Sequence, residues 1–265
     1  MQKAFHGRKL GRIMCIDLIK IGPITVHGYG FMIALGIFIA FTLVSKQIKP
    51  KGYNEEHVLN VVLISIGTGL LGSKLFYILL NFKELLENPL SVIGSEGFVV
   101  YGGIIIGTLC GYLYCRKNKL EFIKYANLII SVVPLCQAFG RLGCFMAGCC
   151  YGKETTLPIG VTFPVGSMAP VGLKLLPTQL ISSFGNLCIF CVTYYIFTKS
   201  KHENYTVPVY LLLYSVGRFC IEFLRGDAAR GFVGILSTSQ FISIFIFAIA
   251  IIFWVNLEKS ADSKK

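Results

Sequence analysis

Residues 236–257, LSTSQFISIFIFAIAIIFWVNL, contain no charged side chain. Roughly 20 apolar residues is the length a helix needs to cross a hydrocarbon core about 30 Å thick. Similar blocks occur at about 22–44, 58–80, 98–115, 125–146, 178–197 and 206–224, so the pattern predicts an all-α integral membrane protein with seven transmembrane helices. The composition agrees. Of the 265 residues 54% are hydrophobic and 14% charged, with a mean hydropathy of +0.69, which a water-facing surface does not tolerate. The blocks lack the alternation of a membrane β-barrel.

The net charge of +12 is spread over short loops rather than over a basic, aromatic-interleaved face, which argues against a nucleic-acid partner. Loops 45–57, 116–124 and 198–205 and the tail 258–265 carry twelve Lys and Arg, whereas loops 81–97, 147–177 and 225–235 carry five. The excess marks the cytoplasmic side, so the C-terminus is expected in the cytoplasm and the N-terminus outside. Lys3, Arg8, Lys9, Arg12 and Lys20 run against that orientation. Two readings account for them: residues 1–21 form a basic segment lying on the membrane surface, or translation begins at Met14. A cleaved signal peptide is not expected, because the first apolar block is too long and lacks a small-residue cleavage site. The expected organisation is an N-terminal segment 1–21, a transmembrane domain 22–257 and a cytoplasmic tail 258–265. The proline-broken loop 151–177 is expected to form a small external cap.

Three Lys or Arg and one acid fall inside the blocks: Lys74, Arg141, Arg218 and Glu222. Each costs several kcal/mol at membrane depth unless paired or facing a polar cavity, so each marks a functional site or an interhelical pair. For Lys74 the structural pairing competes directly. In SVGRFCIEFLRGD, Arg218, Glu222 and Arg225 are spaced i, i+4, i+7 and are expected on one helix face, leaving a net positive stripe. A guanidinium fork matches phosphate oxygens. With Arg141 converging, the set points to an anionic ligand entering from the bilayer, most simply a phospholipid headgroup.

In AFGRLGCFMAGCCYG, residues 138–152, Cys144, Cys149 and Cys150 give a C-x4-C-C spacing. It lacks the C-x2-C pairs of ordinary zinc sites, and no histidine lies near in sequence. A disulfide from Cys149 or Cys150 is a second option, with nothing in the sequence to select its partner. The glycines at 140, 143, 148 and 152 suggest instead a helix end opening into a turn whose free N–H groups meet an anion. Gly103, Gly107 and Gly111 recur every four residues and predict close helix packing. Tyr29-Gly30 and Tyr101-Gly102-Gly103 place phenols near the ends of two spans, as interfacial anchors or cavity-facing groups. Cys188-x-x-Cys191 has redox spacing but sits in LCIFCV at membrane depth, where a thiolate is poorly solvated.

These blocks, in this order, resemble the prolipoprotein diacylglyceryl transferase family of bacterial inner membranes. The resemblance runs through Tyr29-Gly30, LLGSKLFYILLNF at 70–82, ENPLSVIGSEGFVVYGGIIIG at 87–107, GRLGCFMAGCCYG at 140–152, PTQL at 177–180, YSVGRFCIEFLRGDAARG at 214–231 and LSTSQFIS at 236–243. It implies transfer of the diacylglyceryl group of phosphatidylglycerol to the lipobox cysteine of a prolipoprotein, forming a thioether and releasing glycerol phosphate. It implies no metal or other cofactor, and a multi-pass location in the inner or plasma membrane.

By the same resemblance, Arg141 matches the phospholipid-binding arginine, and Arg218, Glu222 and Arg225 match the arginine–acid–arginine segment. Tyr29 and Gly152 match further functional positions. The catalytic candidates are therefore Tyr29, Tyr101, Arg218 and Glu222, and the substrate-binding candidates Arg141, Cys144, Gly152 and Arg225. Three positions depart from the family. Its usual histidine before Gly-Gly is Tyr101, its asparagine after Gly-Arg-x-Gly is Cys144, and its glutamate before the last glycine of that block falls at Cys149. A tyrosine of ordinary pKa is a poor base at pH 7, so thiol activation is expected to fall to the arginine field, with Tyr101 hydrogen-bonding the headgroup or thiol. The competing expectation is a non-catalytic relative that binds phospholipid or exported peptide, or a transferase with another acceptor.

Overall fold

The computed structural model describes residues 17–21, 24–95, 97–227 and 231–262. Asp17–Ile21 (β1) and Ile24–His27 (β2) pair antiparallel, so the first helix begins at Gly28 rather than at residue 22. The Met14 question falls outside the described residues. The helices are Gly28–Ile48 (α1), Glu55–Leu80 (α2), the short Phe82–Glu87 (α3) and Pro89–Gly94 (α4), Val100–Lys117 (α5), Phe122–Ile130 (α6), Val133–Ala147 (α7), Thr178–Lys199 (α8), Thr206–Glu222 (α9) and Thr238–Asp262 (α10).

Four of them, α1, α2, α8 and α10, are long and apolar enough to cross a membrane, and α6 with α7 makes a fifth if the pair is one broken span. The other two expected spans, α5 and α9, are 18 and 17 residues long. At 1.5 Å per residue they reach about 27 and 26 Å, slightly short of the hydrocarbon thickness. Phe38, Leu71 and Leu80 are 68%, 72% and 73% exposed, an apolar outer surface that only lipid satisfies. The molecule is therefore a mostly helical membrane protein.

The chain divides into two compact units, residues 45–129 and residues 1–44 with 130–265. In the first, α2 starts on the Asn54 side chain, which accepts from the N–H of His57, with Glu55 and Glu56 in the opening turn. It packs along α5 through the expected glycine ridge. A Cβ on Gly103 would meet the Gly69 carbonyl oxygen at 2.8 Å, and one on Gly107 the Ser65 carbonyl at 2.5 Å. Lys74 is structural here. Its Nζ donates to the carbonyls of Val92 and Ser95 at 3.1 and 2.6 Å and lies over the rings of Tyr77 and Phe98. The ammonium thus ties down the C-terminal end of α4, where unsatisfied carbonyls attract a cation.

In the second unit α7 packs on α8, and α9 packs on α8 and α10. Buried side chains stitch these helices together. Ser183 Oγ donates to the Ala138 carbonyl at 3.0 Å, Thr193 Oγ1 to the Ser131 carbonyl at 3.1 Å in the break before α7, and Gln137 Nε2 to Tyr210 Oη at 2.7 Å. Such polar links suit a medium that offers backbone groups no water. Helix α10 opens on a capping box: Gln240 N–H donates to Ser237 Oγ, and Ser237 N–H to Gln240 Oε1.

The segment 151–177 packs against the end of α7. Val161–Thr162 (β3) pairs antiparallel with Lys174–Leu175 (β4), and Phe145, Val161, Phe163, Ala169 and Leu175 form a buried cluster beneath. A third two-stranded ribbon, Phe232–Val233 (β5) and Leu236–Ser237 (β6), precedes α10.

Candidate active site at the arginine and cysteine cluster

Helix α7 carries Arg141 and Cys144 and ends at Ala147. The N–H of Gly148 donates to the Phe145 carbonyl and that of Cys149 to the Cys144 carbonyl, the paired bonds of a Schellman cap, with Gly148 left-handed at φ 73°. The segment is a helix C-terminus opening into a turn, where the N–H groups of Gly148 and Cys149 close the cap and that of Gly152 donates to the Leu176 carbonyl at 2.8 Å. Gly152 serves by having no side chain. A Cβ there would meet the Leu176 Cβ at 2.6 Å and the Thr178 Cγ2 at 2.8 Å. Its backbone bridges to Arg225, and a Cβ on Gly226 would meet the Gly152 carbonyl oxygen at 2.6 Å.

Gly143 works the same way on the other side of α7. An added Cβ would lie 3.0 Å from Tyr29 Cδ2 and 3.1 Å from the Tyr29 carbonyl, so the missing side chain lets the start of α1 approach. That contact brings the Tyr29 phenol within electrostatic reach of Arg141, Cys144, Cys149 and Cys150.

The expected shared helix face of Arg218, Glu222 and Arg225 is also corrected. Helix α9 stops at Glu222, so only the first two share it. Arg218 pairs with the buried Glu222 at 3.1 Å and donates from Nη2 to Ser239 Oγ at 2.6 Å. Arg225 lies past the helix, in extended backbone against Gly152, and is 8% exposed. Its Nε donates to Asp227 Oδ1 at 2.9 Å and its Nη2 to Asp227 Oδ2, a bidentate fork. Arg141 has no hydrogen-bond or ion-pair partner among the described residues, yet it lies close enough to act electrostatically on Arg218, Tyr29 and Cys150. Among the described residues three guanidinium groups face two carboxylates, and the remaining positive charge is that of Arg141.

The three cysteine sulfurs lie within 4.8 Å of one another. Cys150 holds a positive φ of 58°, uncommon for a residue with a side chain. Hydrogen bonds with Cys144 and Cys149, then the positive charge of Arg225 and Arg141, hold the Cys150 thiol below the ordinary thiol range, while hydrogen bonds with Cys144 and Cys150 and burial push Cys149 up. Tyr101 belongs to the other compact unit, in the first turn of α5 and 38% exposed.

Four residues that position the site carry no role in the reading from sequence: Thr178, Gln179, Asp227 and Ser239. All sit in stretches that the family resemblance covers. Only Ser239 had a local signal, the Ser-x-x-Gln box at 237–240 that starts its helix.

A helical membrane protein that gathers arginines and thiols at one helix end, with one guanidinium uncommitted, has the makings of an enzyme acting on an anionic lipid. Residues 17–256 match the family described as prolipoprotein diacylglyceryl transferase. The chain belongs to that family. It is 45% identical over 245 residues to a phosphatidylglycerol–prolipoprotein diacylglyceryl transferase of Clostridium tetani, covering 91% of this chain and 97% of that one. It is 42% identical over 254 residues to the protein so named, with the suffix 2, of Clostridium perfringens, covering 95% and 98%. Against the Clostridioides difficile protein of the same name the identity is 33% over 238 residues.

Proposed function

We propose that this chain transfers the diacylglyceryl group of phosphatidylglycerol to the lipobox cysteine of a prolipoprotein signal peptide, in the bacterial inner or plasma membrane. The observation that carries the assignment is Arg141, a guanidinium without a partner among the described residues, beside two arginines already neutralised by Glu222 and Asp227. In the reaction the acceptor sulfur forms a bond to the glyceryl carbon while that carbon's bond to the phosphate oxygen breaks. The phosphate passes from one negative charge to two as it leaves with its glycerol, and the thiol proton passes to the phosphate or to solvent. A fixed guanidinium at that phosphate stabilises the charge as it develops, and therefore acts on the transition state more than on the bound lipid.

In this reading Arg218, held by Glu222 and Ser239, and Arg225, held by Asp227, are positioned cations that raise the local potential and favour the acceptor thiolate. Tyr29 presents its phenol to the same site. Tyr101 contributes a hydrogen bond rather than a base. Gly152 lets the 151–153 and 224–226 strands close on each other, and the segment at 151–177 covers the site from outside. The full topology has seven spans within residues 22–257, with α5 and α9 among them, the N-terminus outside and the tail 258–265 in the cytoplasm.

The test is transfer by the purified chain in detergent, given phosphatidylglycerol with a labelled acyl chain and a lipobox peptide with cysteine or with serine. Cysteine-dependent labelling with release of glycerol phosphate is expected. Folded protein that binds phosphatidylglycerol but labels neither peptide would establish a lipid-binding relative instead.

A further inference from the structure

Vicinal cysteines in an extended chain point to opposite faces, yet Cys149 and Cys150 bring their sulfurs to one side. Two devices hold them there. The left-handed Gly148 reverses the chain at the end of α7, and the φ of 58° at Cys150 turns it again. Strain of this kind persists only where the surroundings over-determine it, and here the surroundings are buried. Thr178 Oγ1 donates to the Cys150 carbonyl at 2.8 Å, and Gln179 Nε2 donates to the Cys149 carbonyl at 2.7 Å. Both residues are 1% exposed. One turn back along α7, Cys144 supplies a third sulfur.

We propose that Cys144, Cys149 and Cys150 form a three-thiolate site for a thiophilic cation of the zinc or copper(I) class. Sulfurs about 2.3 Å from a common metal stand about 3.8–4.0 Å apart, and the three lie within 4.8 Å of one another, so small side-chain rotations close the set. No histidine, aspartate, glutamate or further cysteine joins the cluster among the described residues. A divalent ion therefore keeps a fourth position open, as zinc does where it takes an outside ligand. Three thiolates on a divalent ion carry one net negative charge, and the uncommitted Arg141 stands in electrostatic reach of Cys150 to offset it. Soft sulfur ligands select zinc and copper(I) over magnesium or calcium. The spacing C-x4-C-C hides this site in the sequence, because the backbone turn at Gly148 and Cys150, rather than a fixed C-x2-C loop, brings the sulfurs together.

The test uses the full chain in detergent, reduced and stripped of metal, titrated with cadmium and followed by the thiolate-to-cadmium charge-transfer band. One cadmium per chain is expected, displaced competitively by zinc. The double variant C149S/C150S is expected to lose the band. C188S/C191S, which removes the remaining close pair in sequence, is expected to keep it. Thr178→Val leaves all three sulfurs but releases the Cys150 carbonyl, and is expected to weaken binding about 10–100-fold, as disturbing an outer-shell partner does. No band from protein whose thiols are shown to be free overturns the proposal. So does a band that survives C149S/C150S. Neither result bears on diacylglyceryl transfer, which the metal-free protein reports separately.

Discussion

Replacing Arg141 separates a catalytic role from a structural one. Its side chain has no partner among the described residues, so truncation removes no ion pair and leaves no buried carboxylate exposed. Arg141→Ala is therefore expected to change folding stability by no more than about 0.5 kcal/mol, the range of substitutions that touch no structural feature. Its effect on transfer is expected to be large. A single preorganised donor aimed at developing negative charge contributes about 2.7–4 kcal/mol, which is roughly 10²–10³ in rate. Arg141→Lys keeps the charge and loses the planar fork, and is expected to fall between wild type and alanine, about tenfold down. The assay is initial-rate transfer from labelled phosphatidylglycerol to a lipobox peptide, with thermal unfolding of the same preparations in the same detergent. Arg141→Ala within a few-fold of wild-type activity would rule out a transition-state role for this guanidinium. So would loss of activity matched by a large fall in unfolding temperature, because a residue with no partner among the described residues has no ion pair or hydrogen bond there to lose.

The opposite signature is expected of Glu222→Gln. It strips Arg218 of its buried carboxylate and should cost about 3 kcal/mol of stability, read as a lower unfolding temperature, before any effect on chemistry is considered. Gly152→Ala pushes a methyl against Leu176 and Thr178 and should cost about 1–3 kcal/mol while pulling the Arg225 strand away, so activity and stability fall together. Lys74→Met frees the carbonyls of Val92 and Ser95, and hydrogen exchange of the 89–95 segment should quicken, with Lys74→Arg largely restoring protection. Tyr101→Phe should lower transfer by about tenfold or less, short of the 10²–10⁴ that removal of a general base costs. A steeper fall would make Tyr101 the base.

One part of the fold is written in composition and period alone. The block at 236–257 reads as a membrane helix because a run of apolar side chains of that length has no other stable place to go, and it folds as Thr238–Asp262. The Gly103–Gly107–Gly111 ridge reads as close packing because four-residue spacing puts three missing side chains on one face, and Gly69 and Ser65 lie against it. The cations inside the apolar blocks are legible too, since charge at membrane depth is costly enough to be informative wherever it occurs. The short spans are harder: α5 and α9 fold as helices of 18 and 17 residues, slightly short of the hydrocarbon thickness.

Tertiary structure decided which charges meet. From spacing alone Arg225 belongs with Arg218 and Glu222. The helix ends at Glu222, and long-range pairing with Gly152 carries Arg225 to Asp227 instead. Two-residue strands such as Val161–Thr162 have no period to detect, so a loop that reads as broken and polar hides a packed cluster. The same holds for the three thiols. Their convergence depends on two left-handed residues and on hydrogen bonds from Thr178 and Gln179, about 30 residues away in the chain. Local sequence carries the cost of burying a group; the identity of its partner is set by contacts between distant segments, which only the folded chain brings together.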